Sequence, residues 1–279
     1  MSERRLQTLP AAKSLMPQPG YKKRLFLILW IAGMAGVLSF LLVDLSAIIA
    51  SMPKPPGPPV ELPPPMLLKI ASIIQPAVLT SLAVLVGVLL AERVNLHAPA
   101  AEALAGGGDL LAGLRPQIIP GIIAGLASGV AIVLAWLIAK PFLPEQFLAH
   151  AQDFNQFLPA PVRFLYGGFT EELLLRWGVM TFLVWAAWRV FQRAGAPPRA
   201  VFYIGAILVS SLLFGIGHLP VASMLGGGLT ASVVAYVVTA NSIFGIVAGT
   251  LFWKKGLESA IIAHISAHIV LITAIYLAV

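Results

Sequence analysis

The sequence predicts an all-α fold, a polytopic membrane helix bundle of about seven to eight transmembrane helices. Three observations predict it. Of 279 residues, 59% are hydrophobic and only 10% charged, where a soluble domain carries roughly 25% charged residues. The mean hydropathy is +0.92. The apolar residues fall into seven runs, most of them near the ~20 residues that cross a bilayer. This composition excludes an ordinary water-soluble enzyme and a disordered protein. Cysteine is absent, which removes disulfides, thiol catalysis, CxxC metal sites and Fe–S clusters. Lys and Arg number 18 against 11 Asp and Glu, a net charge of +7. These basic residues bracket apolar segments and do not interleave with exposed aromatics, so no nucleic acid is expected as a partner.

The first run, Leu25–Val43, follows Arg4, Arg5, Lys13, Lys22, Lys23 and Arg24. It is longer than a signal-peptide core and reads as a retained helix. The others are Ile70–Ala91, Ile118–Ala139, Phe164–Trp188, Val201–Gly217, Leu229–Trp253 and Leu257–Leu277. Gly226-Gly227-Gly228 predicts a break or a short re-entrant piece, the source of a possible eighth element. Ser51–Pro65 holds eight prolines and reads as a stiff, extended spacer. Glu92–Arg115 reads as a polar loop, and Lys140–Arg163 as a connection with an amphipathic surface helix. Three parts follow: a basic cytoplasmic segment 1–24, N-terminal helices and loops 25–159, and a core 160–279. Seven spans place the N-terminus, Arg189, Arg193, Arg199, Lys254 and Lys255 in the cytoplasm and the C-terminus outside. The expected location is multi-pass in a membrane, the plasma membrane of a prokaryote.

The fourth run contains Phe169-Thr170-Glu171-Glu172-Leu173-Leu174-Leu175-Arg176. A central charge costs about 2.5–3.5 kcal/mol to insert, so three cost roughly 8–10 before pairing. Glu172 and Arg176 are i,i+4 and can pair, leaving Glu171 for other work. Gly167-Gly168 is expected to interrupt the helix, with Thr170 as N-cap and both carboxylates in its first turn. The next run ends at His218. Counting back through two antiparallel helices puts Glu171 and His218 both about 26 Å from the inner end. His264 and His268 share one face of the last run. The same count brings His268 near that level and leaves His264 short by about 12 Å. Asn241 is a weaker polar neighbour, Asp44 meets the interface, and His97 and His150 are solvated loop residues.

Two Glu, an Arg and three His from three spans form an acid/base or metal constellation. His and carboxylate can hold a divalent metal with a position left for water. Alternatively Glu171 deprotonates water while histidines stabilise the oxyanion. Both routes hydrolyse an acyl bond at membrane depth. Serine-type and aspartyl-type intramembrane signatures are missing: Gly125-Leu126-Ala127-Ser128-Gly129 has the wrong spacing, and Gly106-Gly107-Gly108-Asp109 lies in a loop. H-E-x-x-H is absent. A proton- or cation-coupled transporter using the same groups as a relay is one alternative. A non-catalytic membrane scaffold or immunity-type protein is another.

Glu171-Glu172-x-x-x-Arg176, Phe214-x-x-x-His218 and His264-x-x-x-His268, in this order, resemble the motifs of the CAAX-protease and bacteriocin-processing (CPBP, Abi) family. The stretch from Phe244-Gly245 through Lys254-Lys255-Gly256-Leu257 is similar to the segment before that family's last motif. The resemblance covers about residues 160–270. It implies a CAAX-protease-type intramembrane endopeptidase, of a family often labelled metalloprotease, acting at or near the membrane surface. Glu171 and His218 would activate water, supported by Glu172 and Arg176, and His264 and His268 would stabilise the oxyanion. Glu171, His218, His264 and His268 could instead hold zinc. The implied partners are membrane lipid and a membrane-associated peptide or protein substrate. The last family motif usually ends in Asn or Asp, where this chain has His268.

Overall fold

The computed structural model describes residues 19–51, 64–192, 196–226 and 228–277. Arg4, Arg5, Lys13, Arg193, Gly227 and most of the proline-rich stretch lie outside them. Within them, seven helical stretches are long and apolar enough to cross a membrane, and the fold is all-α. In order, the helices are α1 (Tyr21–Ser39), α2 (Leu45–Ser51), α3 (Pro65–Leu90), α4 (Pro99–Ala105), α5 (Leu110–Ala139) and α6 (Glu145–Phe157). Then come α7 (Ala160–Val162), which runs on through two π-helical segments, Arg163–Glu171 and Leu173–Met180, into α8 (Thr181–Phe191). The chain finishes with α9 (Ala200–Gly217), α10 (Leu219–Met224), α11 (Ala231–Lys254) and α12 (Leu257–Tyr276).

Several sequence expectations change. The run after Gly217 does not form another span: α10 is a short helix, joined to α9 at His218 and closed by Gly226 and Gly228, both at positive φ. The stretch 92–115 is not all loop, because α4 forms inside it. Pro99 suits the first turn of α4. The two neighbouring Ala100 and Ala101 amides donate to Glu258 Oε1 at 2.9 Å each. Glu258, in the first turn of α12, also accepts from Gln117 Nε2 at 3.1 Å. This carboxylate ties α4, α5 and α12 together at one end. His150 lies on α6, as does the buried Phe147, and Asp44 accepts from the Ser46 and Ala47 amides at the start of α2.

Helix packing is set by small residues, since lipid removes the hydrophobic drive between helices. On α5, Gly121, Gly125 and Gly129 recur at i,i+4 against α12. A Cβ at Gly121 would lie 2.8 Å from Ser259 O, one at Gly125 2.6 Å from Ser266 Cβ, and one at Gly129 2.8 Å from Val270 Cβ. On α1, Gly33 and Gly36 admit the π-helical stretch in the same way, Gly33 facing Leu173 and Gly36 facing Thr170 and Leu165. Thr170 is therefore no N-cap. Its hydroxyl donates to Gly33 O at 2.8 Å, and the helix runs unbroken through Gly167-Gly168. The two carboxylates that follow lie in mid-helix, not in a first turn.

Candidate active site

Glu172 and Arg176 are both fully buried, with Arg176 Nε 3.2 Å from Glu172 Oε2. The pairing expected from their spacing is present. Burial makes it necessary, because either charge alone at this depth would stay uncompensated. The other oxygen of the same carboxylate, Oε1, accepts from His264 Nδ1 at 2.9 Å. That bond fixes His264 with a proton on Nδ1 and turns Nε2 the other way. Nε2 faces Glu171 Oε2 at 3.7 Å, and the Glu171 side chain keeps 20% of its surface exposed. Of the two adjacent carboxylates, one is thus locked into a buried ion pair and the other is reachable by water.

His264 is therefore not short of the cluster but at its centre, which overturns the depth count. The count assumed α-helical rise from Glu171 to Trp188, whereas Leu173–Met180 is π-helical. A π turn takes in more residues, which brings Glu171 only a few ångströms nearer the inner end; α12 also starts at a fully buried Leu257, so a count from Lys255 understates the depth of His264. His268 stacks on His264, ring centroids 5.0 Å apart and planes at 14°. Its Nδ1 is buried without a hydrogen-bond partner among the described residues. Gly167 makes room for both rings: a Cβ there would lie 2.8 Å from His268 Nε2 and 3.3 Å from His264 Nε2.

His218 caps α9 and donates its Nδ1 proton to Phe214 O at 2.8 Å, leaving Nε2 as the free ring nitrogen. No direct contact joins it to Glu171. Phe214 is the link: its ring meets His218 at 4.7 Å and His264 at 5.9 Å, both edge-on, and lies under the Arg176 guanidinium at 5.4 Å. Sequence reasoning quoted Phe214 only as a motif letter. Its position four residues before His218, on the same helix face, was the available signal. Asn241 stays outside the cluster, with its amide spent on Val237 O at 2.8 Å.

A divalent ion would need three or more donors converging on one point. Among the described residues no three His, Asp or Glu side chains do so. Glu172 and His264 Nδ1 are already committed to each other. The donor set does not fit a metal as it stands, and no step below is routed through one.

The fold and the site together define a class: a multi-pass membrane protein with a partly exposed carboxylate and imidazoles gathered around a buried Glu–Arg pair. Residues 153–270 match the family model described as type II CAAX prenyl endopeptidase Rce1-like. Over these residues the chain is similar to the CAAX-type protease family that the three motifs resemble. Comparison with curated proteins and with solved structures gave no match.

Proposed function

We propose that this protein is an intramembrane endopeptidase in which Glu171 is the general base. The observation that carries the reading is the division of labour between neighbouring carboxylates. Glu172 is buried and doubly engaged, while Glu171 is accessible beside His264 Nε2. A water beside Glu171 gives up a proton to its carboxylate as the water oxygen attacks the peptide carbonyl carbon. His218, with Nδ1 held by Phe214 O, accepts the second hydrogen bond of that water through Nε2 and orients it. The carbonyl oxygen becomes an oxyanion. His264, held through Nδ1 by the Glu172 carboxylate, turns Nε2 toward that oxyanion as its hydrogen-bond donor, and His268 stands stacked beside it. The C–N bond then breaks, and the proton on Glu171 passes to the leaving amine. The substrate in this reading is a membrane-associated peptide or protein, met by a protein lying in membrane lipid.

The experiment is turnover of a membrane-tethered fluorogenic peptide by the purified full chain in lipid nanodiscs. Glu171→Gln and His218→Ala are each expected to lower kcat by about 10²–10⁴, with melting temperature retained. Unchanged turnover in both variants would remove the reading.

A further inference from the structure

A cavity of about 450 Å³ lies beside the cluster, between α5, α6, α11, α12 and the start of the π-helical stretch. That is the size of sites that take small molecules. Leu271, on its wall, is one helical turn beyond His268, and Arg163 also lines it. The cavity nevertheless contains none of the groups assigned to the chemistry above.

Its lining has a polarity. Lys140 directly follows the last residue of α5, and Arg163 begins the next membrane-crossing stretch. Both cations sit at the ends of their spans, and among the residues whose side chains are described no acidic one lines the cavity. Inward from Lys140, Trp136 and Ile132 follow at i,i+4 spacing along α5, with Leu271 and Ile275 on α12 opposite. An apolar slot thus runs from the cation pair about two helical turns, or roughly 11 Å, toward the bilayer centre. Its walls are helices whose backbone groups bond internally; the polar side chains between them are Asn241, whose Nδ2 is spent on Val237 O, and Tyr236, whose ring packs against Trp136. A peptide backbone there would leave most of its own N–H and C=O groups unmet, at a cost of several kcal/mol each. An acyl chain has no such groups.

We propose that this cavity holds one acyl chain of an anionic phospholipid, with the headgroup phosphate between Lys140 and Arg163. The occupant borders the catalytic cluster on the side of His268. Arg163 also donates to Leu158 O at 3.2 Å and is 8% exposed, so the exposed Lys140 is the position to change.

The test is native mass spectrometry of the purified full chain, delipidated and offered phosphatidylglycerol or phosphatidylcholine in mixed micelles. Retention of phosphatidylglycerol over phosphatidylcholine is expected. A basic residue near the surface is worth about 1 kcal/mol toward anionic lipid, so Lys140→Ala should lower that preference about fivefold. Ala274→Trp, which fills the slot and keeps both cations, should lower retention of either lipid. Glycerol phosphate, which has the anion without the chain, should not displace the lipid. Equal retention of the two lipids, a preference unchanged in Lys140→Ala, or displacement by glycerol phosphate would overturn the proposal. So would displacement by an apolar peptide acid at matched concentration, which would make the slot a peptide subsite. The circular dichroism of each variant distinguishes lost lipid from lost fold. Peptide turnover plays no part in the readout, so the proposal stands or falls apart from the peptidase reading.

Discussion

His264 donates its Nδ1 proton to Glu172 Oε1 over 2.9 Å, joining side chains 92 positions apart in the chain. The bond sets which imidazole nitrogen faces Glu171, and it rests on a carboxylate that is itself held by Arg176. Structure and chemistry therefore share one residue here, and the two can be separated by substitution.

Glu172→Ala leaves the Arg176 guanidinium buried without its counter-charge. The expected destabilisation is about 3–5 kcal/mol, read as a lowered Tm by scanning calorimetry in detergent. Replacing both partners with apolar residues, Glu172→Leu with Arg176→Met, should recover much of that loss. Turnover should stay absent in the double variant, because His264 has lost its acceptor. A wild-type Tm for Glu172→Ala would show that the pair carries no such strain.

Gly167→Ala adds a methyl that would lie 2.8 Å from His268 Nε2. The rings must move, and displacement of about 1 Å costs on the order of 10² in rate. Helicity by circular dichroism should be unchanged. Full activity in this variant would mean the rings are not held where they work.

Chelation by excess EDTA followed by desalting should leave turnover unchanged, since no three donors converge on a point. Elemental analysis of the same samples should find zinc well below one ion per chain. Activity lost on chelation and restored by zinc would restore the metal reading with a rearranged donor set.

His97 lies between α3 and α4, outside the spans, 3.2 Å from Glu102. Its hydrogen bond to that carboxylate is the main cause that raises its pKa above the ordinary 6.5. A group raised on folding stabilises most below its unfolded value and loses that contribution as pH climbs through its folded one. Thermal stability should therefore decline from below pH 6.5 upward through that raised value, and His97→Asn should flatten the decline. The side chain is 43% exposed, so the effect is small. A variant that keeps the full pH slope would assign it elsewhere.

The seven spans were legible because burial in lipid demands long apolar runs, whatever their packing. Glu171, Glu172 and Arg176 were legible because charge at depth is costly enough to mark itself. The helix type was not. Nothing in Arg163–Met180 signals a π ladder, and the Gly-Gly pair reads as a break when its use is close approach to α12. Read as a break, the pair makes Thr170 a cap. Glu258 carries no local signal of its role. Its actual partners are backbone amides and a glutamine more than 140 positions earlier, which no local pattern announces.

The helix bearing both His264 and His268 is clasped along its length by the glycine ridge of α5, and α5 precedes the first residue of the Rce1-like match. The matched region therefore leaves out part of what holds the site. A protein trimmed to the matched region would keep every motif letter yet lose the brace that aims its imidazoles. Engineering or transplanting this core means carrying the third span along with it.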